Sequence, residues 1–553
     1  MDVTGRFRVR LIKAGEYRYV FLSVLFVTLI ATAVPVNAQF GELIAFQSPG
    51  NTTYYLDADA GNDENPGTRP RQAWRTLSRI NTSRFAPGDR ILIKAGTTYH
   101  GKLWPKGTGI PGRPITIDRF GDGPPPVIHG DGDASATILL DNVNAWHIKN
   151  LELTNTGDQP ETFRYAISIL IDGIGDAGDF HLANLHIHDV NGSDEPGFGE
   201  GAAILLRNRG VNTRFDGVTI EHCTIDNTHR NGIVIDGGDA EPGAQANIKV
   251  VIHDNVITGV GGDGIRLVGC EYPVVEYNRI EQAGQSGEGR AGGISLINCR
   301  NGIVQFNEVI GTRGPRNAAL RVGPGCMENT LQFNFTRDNR GPMAQLSADI
   351  ASTGSVGKRL SNIGTVVRYN ISQNDGGGFK LIGPVRDARC YNNTIFCGPD
   401  RRVEWVRLDA RRDMAPAQTL IANNLFYVQK GQASILFDET TDIMLRHNAY
   451  FGMEAIPASD PNPITADPML PQPGRAETRD EAITDYQPLP DSPLAGAGVR
   501  VDGHGRLDFA GRSVPPVAEV DIGAIQITSD NGDEARPNVP PAPDKPEQSA
   551  GER

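Results

Sequence analysis

Aromatic residues make up only 7% of this 553-residue chain, cysteines number six, and hydrophobic residues reach just 39%. Only one apolar run is long enough to matter, residues 19–34, which excludes a multi-span membrane protein. Long stretches free of breakers are scarce too. With 65 Gly and 37 Pro, few windows could hold a long helix, which argues against a helical bundle. What remains is a turn-rich chain that still buries a large core.

The apolar run follows Arg6, Arg8, Arg10, Lys13 and Arg18 and precedes Val36-Asn37-Ala38, which marks residues 1–38 as an expected secretory signal peptide. Removing its net +3 from the formal −13 leaves −16 on the expected mature chain. Such an acidic body disfavours nucleic acid or an anionic membrane as partner. A secreted or periplasmic protein is expected, acting as a monomer. From residue 528 the chain is Pro, Asp, Glu and Asn with almost no large apolar residue, so 528–553 is expected to be a disordered tail.

Between about residues 136 and 450, short apolar strands recur every 23 to 39 residues. Aligned, they give one column of Asn255, Asn278, Asn307, Asn334, Asn370, Asn393, Asn424 and Asn448, with Leu151, Leu185 and Cys223 at earlier positions. Repeats that cannot bury an apolar face alone must stack into a solenoid. Asn suits the bend, because it tolerates unusual backbone angles and its amide can bond along a stack. A second strand follows a Gly-rich corner, as in Gly264-Ile265-Arg266-Leu267 and Gly378-Phe379-Lys380-Leu381. Strand alternation then points Val234, Arg266, Ser295, Arg321, Gln345, Lys380, Arg407 and Leu436 outward. At roughly 4.8 Å per coil, Arg266 to Arg407 spans about 24 Å, a basic stripe on an acidic protein.

This pattern resembles the right-handed parallel β-helix proteins of the pectate-lyase-like superfamily over roughly residues 53–527. The segments 54–68 and 86–96 look like their N-terminal region, and Asp521-Ile522-Gly523-Ala524-Ile525 is similar to their C-terminal end. The resemblance implies an all-β, single-stranded right-handed parallel β-helix. It would have an N-terminal cap and first coils over 39–135, repeats over 136–450, and an irregular segment over 451–527 packing back. It also implies that the Asn ladder marks one corner and that the basic stripe lies in the substrate groove.

The context Gly376-Gly377-Gly378-Phe379-Lys380-Leu381-Ile382-Gly383 is similar to the segment carrying the catalytic lysine in family-nine pectate lyases. The expected activity is therefore β-elimination on an acidic, uronate-containing glycan. That reaction needs a base and positive charge on the substrate carboxylate. Lys380 would be the base, and cationic neighbours would disfavour its ammonium form. Arg321 would assist, while Arg266 and Arg407 clamp carboxylate or sulfate. Gln345, Asp263, His229 and Arg230 are further candidates to contact the sugar, and Glu200 sits with His229 and Arg230 at loop corners that could line the groove. The strand preceding Lys380 reads Gly341-Pro342-Met343-Ala344-Gln345-Leu346, without the Asp cluster that holds calcium in family-nine lyases, and Asp338, Asp349 and Asp375 do not restore the pattern. An Arg-assisted reaction is the reading this leaves, with calcium open.

Three other functions share the fold: a glycoside hydrolase using Asp263, Asp236 or Asp239, a C5-epimerase, and a non-catalytic glycan-binding protein. His186-Ile187-His188-Asp189 puts two histidines on one strand face, but spacing assigns no third or fourth metal ligand, so surface or stacking histidines are expected. Asp57, Asp59, Asn62, Asp63 and Asn65 offer oxygen ligands without the spacing of a known calcium loop. Cys270 and Cys299 fall at equivalent positions on successive coils, close enough for a disulfide or a buried thiol pair.

Overall fold

The computed structural model describes residues 44–527 except 134, 196–199, 238–244, 287–290, 315–316, 351–358, 412–413, 437–441 and 516–518. The expected signal peptide, the expected tail and Asp239 lie outside the described residues.

Each coil of the chain visits three parallel sheets in turn. One full coil runs through Trp146–Lys149, Glu152–Asn155 and Tyr165–Asp172, and the next through Asp176–Ala183, His186–Val190 and Ala202–Arg209. Sheet one begins at Thr53–Leu56 and ends at Ile443–Arg446. Sheet two runs from Thr98–His100 to Ala449–Phe451, and sheet three from Ala136–Asp141 to Gly431–Leu436. Neighbouring strands pair in parallel with inward residues in register: Ile167 pairs Ile204, then Ile233, Ile265, Ile294 and Leu320 follow. These side chains join one continuous apolar core that reaches from Tyr54 to Tyr450. Each fully buried Ile or Leu stabilises by roughly 1.5–3 kcal/mol. At the N-terminal end, Trp74 stacks on Tyr54 at 4.9 Å, and Arg79 of the short helix Leu77–Asn81 lies over Trp74.

The Asn column is a hydrogen-bonded ladder at the corner between sheets one and two. Asn307 Nδ2 donates to Asn334 Oδ1 at 3.0 Å, and the same link repeats from Asn255 to Asn448. Asp460 terminates it, accepting from the Asn448 backbone and amide and from the Tyr450 hydroxyl. The expectation that the ladder Asn itself takes the unusual backbone angle needs correcting. The left-handed residue is the one before it, including Tyr277 (φ 55°), Phe306 (56°), Phe333 (58°) and Tyr369 (49°). Left-handed backbone costs roughly 1–2 kcal/mol for such residues. Their rings offset it by stacking outside the corner, Tyr277 on Phe306 at 4.9 Å and Phe306 on Phe333 at 5.1 Å.

Among its described residues, the segment after Phe451 holds one helix, Arg479–Asp485, and packs on this aromatic corner and on the outer face of sheet two. Buried Arg479 donates to the Phe333 and Phe509 carbonyls, and Asn392 reaches the carbonyls of Asp521 and Gly523. These contacts leave the outer face of sheet three to other uses. Among the described residues, no helix is long and apolar enough to cross a membrane.

Candidate functional site

On the outer face of sheet three, register links Val234 to Arg266, then Ser295, Arg321, Gln345, Lys380, Arg407 and Leu436. Alternation along each strand sets this file, because the residues on either side face the core. The file changes character along its length. Its first coils are apolar, with Tyr165, Leu205 and Val234 buried together and Leu139 and Leu170 packed against them. From Arg266 to Arg407 it is polar.

The first polar group is a tightly paired cluster. Glu200 is buried and bonds Arg230 Nε at 3.1 Å on one oxygen and Arg266 on the other. Burial works against the Arg266 cation, but Glu200, Asp263 and Asp236 more than offset it and hold the guanidinium above its ordinary value. Arg207 bonds Asp236 at 2.7 Å, and burial raises the Tyr165 phenol beside them. Asp263, expected on the sugar, is 2% exposed, and its Oδ1 accepts from Gly292 N–H at 2.7 Å and Ser295 Oγ at 2.5 Å. It fastens one coil to the next. Arg230 is likewise buried against Glu200 rather than presented to solvent. His229 stays partly exposed, 3.7 Å from Asp194, whose carboxyl is raised by burial.

The second group surrounds Lys380, whose side chain is 25% exposed. Gln345 is the preceding partner in the file, buried, with Nε2 lacking a hydrogen-bond partner among the described residues. Arg321 stands one coil further back. On the other side, Arg407 bonds Asp409 at 2.9 Å and Glu404 at 3.1 Å, which hold its guanidinium above the ordinary value. Asp409 also lies 3.9 Å from Lys380 Nζ. The stripe read as basic is therefore largely self-neutralised: Arg266, Lys380 and Arg407 each face a carboxylate. Asp409 was legible, since it sits two residues beyond Arg407 on the same face. Glu200 was read as a loop-corner residue able to line the groove, but its burial between Arg230 and Arg266 was not legible, and Asp194 was missed, because loops bring both in.

The residues do not fit a calcium site of the kind the resemblance implies. On Pro342–Ser347 the outward positions hold Gln345 and Ser347, and Asp375 is buried and bonded to Asn339, Ser372 and Thr336. Asp338 is engaged by Arg337 and Arg401, and the side chain of Asp349 lies outside the described residues. In the 57–65 segment, Asp57 accepts from its own turn and from Lys94 at 2.9 Å, while Asp63 accepts from Arg75 and Thr76. Cys270 and Cys299 are free, buried thiols.

A family model for a right-handed β-helix region matches residues 202–395. The fold is a right-handed parallel β-helix. The β-helix is 27% identical, over 90% of its length, to a lacto-N-biosidase of Bifidobacterium longum subsp. longum, covering 38% of that protein. It is 36% identical over 99 residues to alpha-1,3-galactosidase A of Akkermansia muciniphila, covering 16% of it. The β-helix thus spans well under half the length of these curated relatives. Among solved structures, it is similar to a GH136 lacto-N-biosidase from Eubacterium ramulus, with TM-score 0.55, 21% identity, and 71% and 68% of the two chains covered. It is also similar to XylC in complex with xylose, with TM-score 0.52, 10% identity, and 86% and 98% covered. These structural likenesses concern the fold.

Proposed function

We propose that this β-helix is an exported enzyme that cleaves a glycan lying along the outer face of sheet three, with the break made at Lys380. The observation that carries the reading is the run Arg321, Gln345, Lys380 on three consecutive coils, with a buried and unpartnered amide donor in its middle. A buried donor without an acceptor costs about 1–3 kcal/mol, so a ligand oxygen there is favoured. A uronate carboxylate meets both requirements, taking the Gln345 N–H and the Arg321 guanidinium. Lys380 is the next group along.

In β-elimination the Lys380 amine takes the C5 proton of that uronate. The C5–H electrons form the C4=C5 double bond as the C4–O bond to the neighbouring sugar breaks, and the leaving oxygen takes a proton from solvent water, while the proton on Lys380 returns to solvent. Arg321 and Gln345 stabilise the charge that builds on the carboxylate in the transition state. Purified protein incubated with pectate, alginate and glycosaminoglycans should produce ultraviolet absorbance from unsaturated uronate.

Hydrolysis is the second reading, favoured by the two relatives named above, a lacto-N-biosidase and an alpha-1,3-galactosidase. It would use carboxylates of the same face, Asp409 and Glu404 beside Lys380 or Asp236 beside Arg207. Its signature on neutral galactose- or hexosamine-containing glycans is new reducing ends without unsaturation. A folded protein that yields neither product on either panel removes both readings. Mass spectrometry of the mature N-terminus tests export, and elution volume on a sizing column tests the monomer.

A further inference from the structure

We propose that Glu152, His186 and His188, on the outer face of sheet two, bind one divalent cation of zinc type. Glu152 and His186 are register partners on adjacent coils, and His188 follows two residues on, on the same face. One ligand atom from each lies within 4.8 Å of the other two. The imidazoles stack at 4.5 Å, with His188 Nε2 3.3 Å and His186 Nδ1 3.9 Å from the Glu152 carboxylate.

The remote ring nitrogens make the arrangement more than an ion-pair cluster. His186 Nε2 meets Asp226 at 3.1 Å, and His188 Nδ1 meets Asp189 at 2.7 Å. Each imidazole therefore has a carboxylate holding its far nitrogen, which turns the near nitrogen toward Glu152, where a cation would take the place of the proton shared between His188 Nε2 and Glu152. Such carboxylate–histidine pairs orient metal ligands and raise their basicity. Two imidazoles and one carboxylate suit a borderline divalent ion, and three protein ligands leave a position open to water or substrate. Zinc–nitrogen bonds of about 2.0–2.1 Å require roughly an ångström of closure from these partly exposed side chains. Sequence spacing missed the third ligand because Glu152 lies one coil back, 34 residues before His186. A nearby group has a different shape: Glu221 takes His181 on one oxygen and His253 on the other, so those rings are bridged rather than convergent.

The test is a Zn²⁺ titration of the metal-stripped full chain against a chromophoric chelator, with Co²⁺ absorption as a second readout. One equivalent should bind. His188→Ala and Glu152→Gln should each weaken binding at least about tenfold, and Asp226→Asn by about tenfold. Co²⁺ should give the visible bands of a low-coordinate site, absent in His188→Ala. His253→Ala, acting at the bridged group, should change nothing. No tight equivalent, binding that survives Glu152→Gln and His188→Ala together with intact circular dichroism, or loss of binding in His253→Ala would each overturn the proposal.

Discussion

Replacing Asn307 by alanine in the middle of the corner ladder removes one amide that makes five hydrogen bonds. Its Nδ2 donates to the carbonyls of Val275 and Gln305 and to Asn334 Oδ1, and its Oδ1 accepts from the backbone and side chain of Asn278. All of these groups sit at the buried corner, out of reach of water. The Asn278 N–H loses its acceptor, at a cost of about 1–3 kcal/mol, and each carbonyl left short of a donor adds roughly 0.5–1.5 kcal/mol. The expected loss is about 4 kcal/mol. Aspartate at the same place is nearly isosteric but worse at neutral pH, because its second oxygen would face three acceptors and no donor. Acidification to about pH 4 supplies one proton and should narrow the gap between the two variants. Urea unfolding at pH 7 and pH 4, followed by circular dichroism, checks both points. A loss under about 1 kcal/mol for Asn307→Ala, or an aspartate variant no less stable than the alanine one at pH 7, would refute the view that the ladder is an energetic element.

Lys380→Ala should lower glycan cleavage by about 10²–10⁴-fold while leaving the melting temperature within a degree or two, since the side chain is partly exposed. Initial rates and thermal denaturation on the same preparations check this. Glu200→Gln should destabilise by roughly 3 kcal/mol, because two arginines share that buried carboxylate; equilibrium denaturation reads it. Burial raises the Asp375 carboxyl to about 6 from an ordinary 3.8, against the hydrogen bonds of Ser372 and Thr336. As pH rises through that window the unfolded chain gives up its proton first, so stability falls, by up to about 3 kcal/mol, and levels off above pH 6. Asp375→Asn should remove this component, seen as a smaller difference in melting temperature between pH 4 and pH 7 than in the parent protein.

The coils and the Asn column are legible because their signals are local. A strand announces itself by alternation within five or six residues, and a bend by an Asn at its end. Stacking identical units then multiplies the signal without requiring knowledge of any loop. The aromatic file Tyr277, Phe306, Phe333, Tyr369 was equally local, one residue before each Asn, but propensity argues against bulky side chains in left-handed backbone. Only the stack formed between coils offsets that cost, and a stack is invisible in any one repeat. The charges of sheet three follow the same logic. Their outward direction is a property of each strand, whereas their state depends on partners from elsewhere: Glu200 reaches 30 residues forward to Arg230 and 66 to Arg266. The connecting segments vary in length from coil to coil, so no fixed spacing encodes such pairs. The three-residue metal cluster repeats the point, since its two histidines were conspicuous and its carboxylate was not. In this solenoid the fold is written along the chain. The chemistry is written across coils, and it becomes readable only once the number of residues in each turn is known.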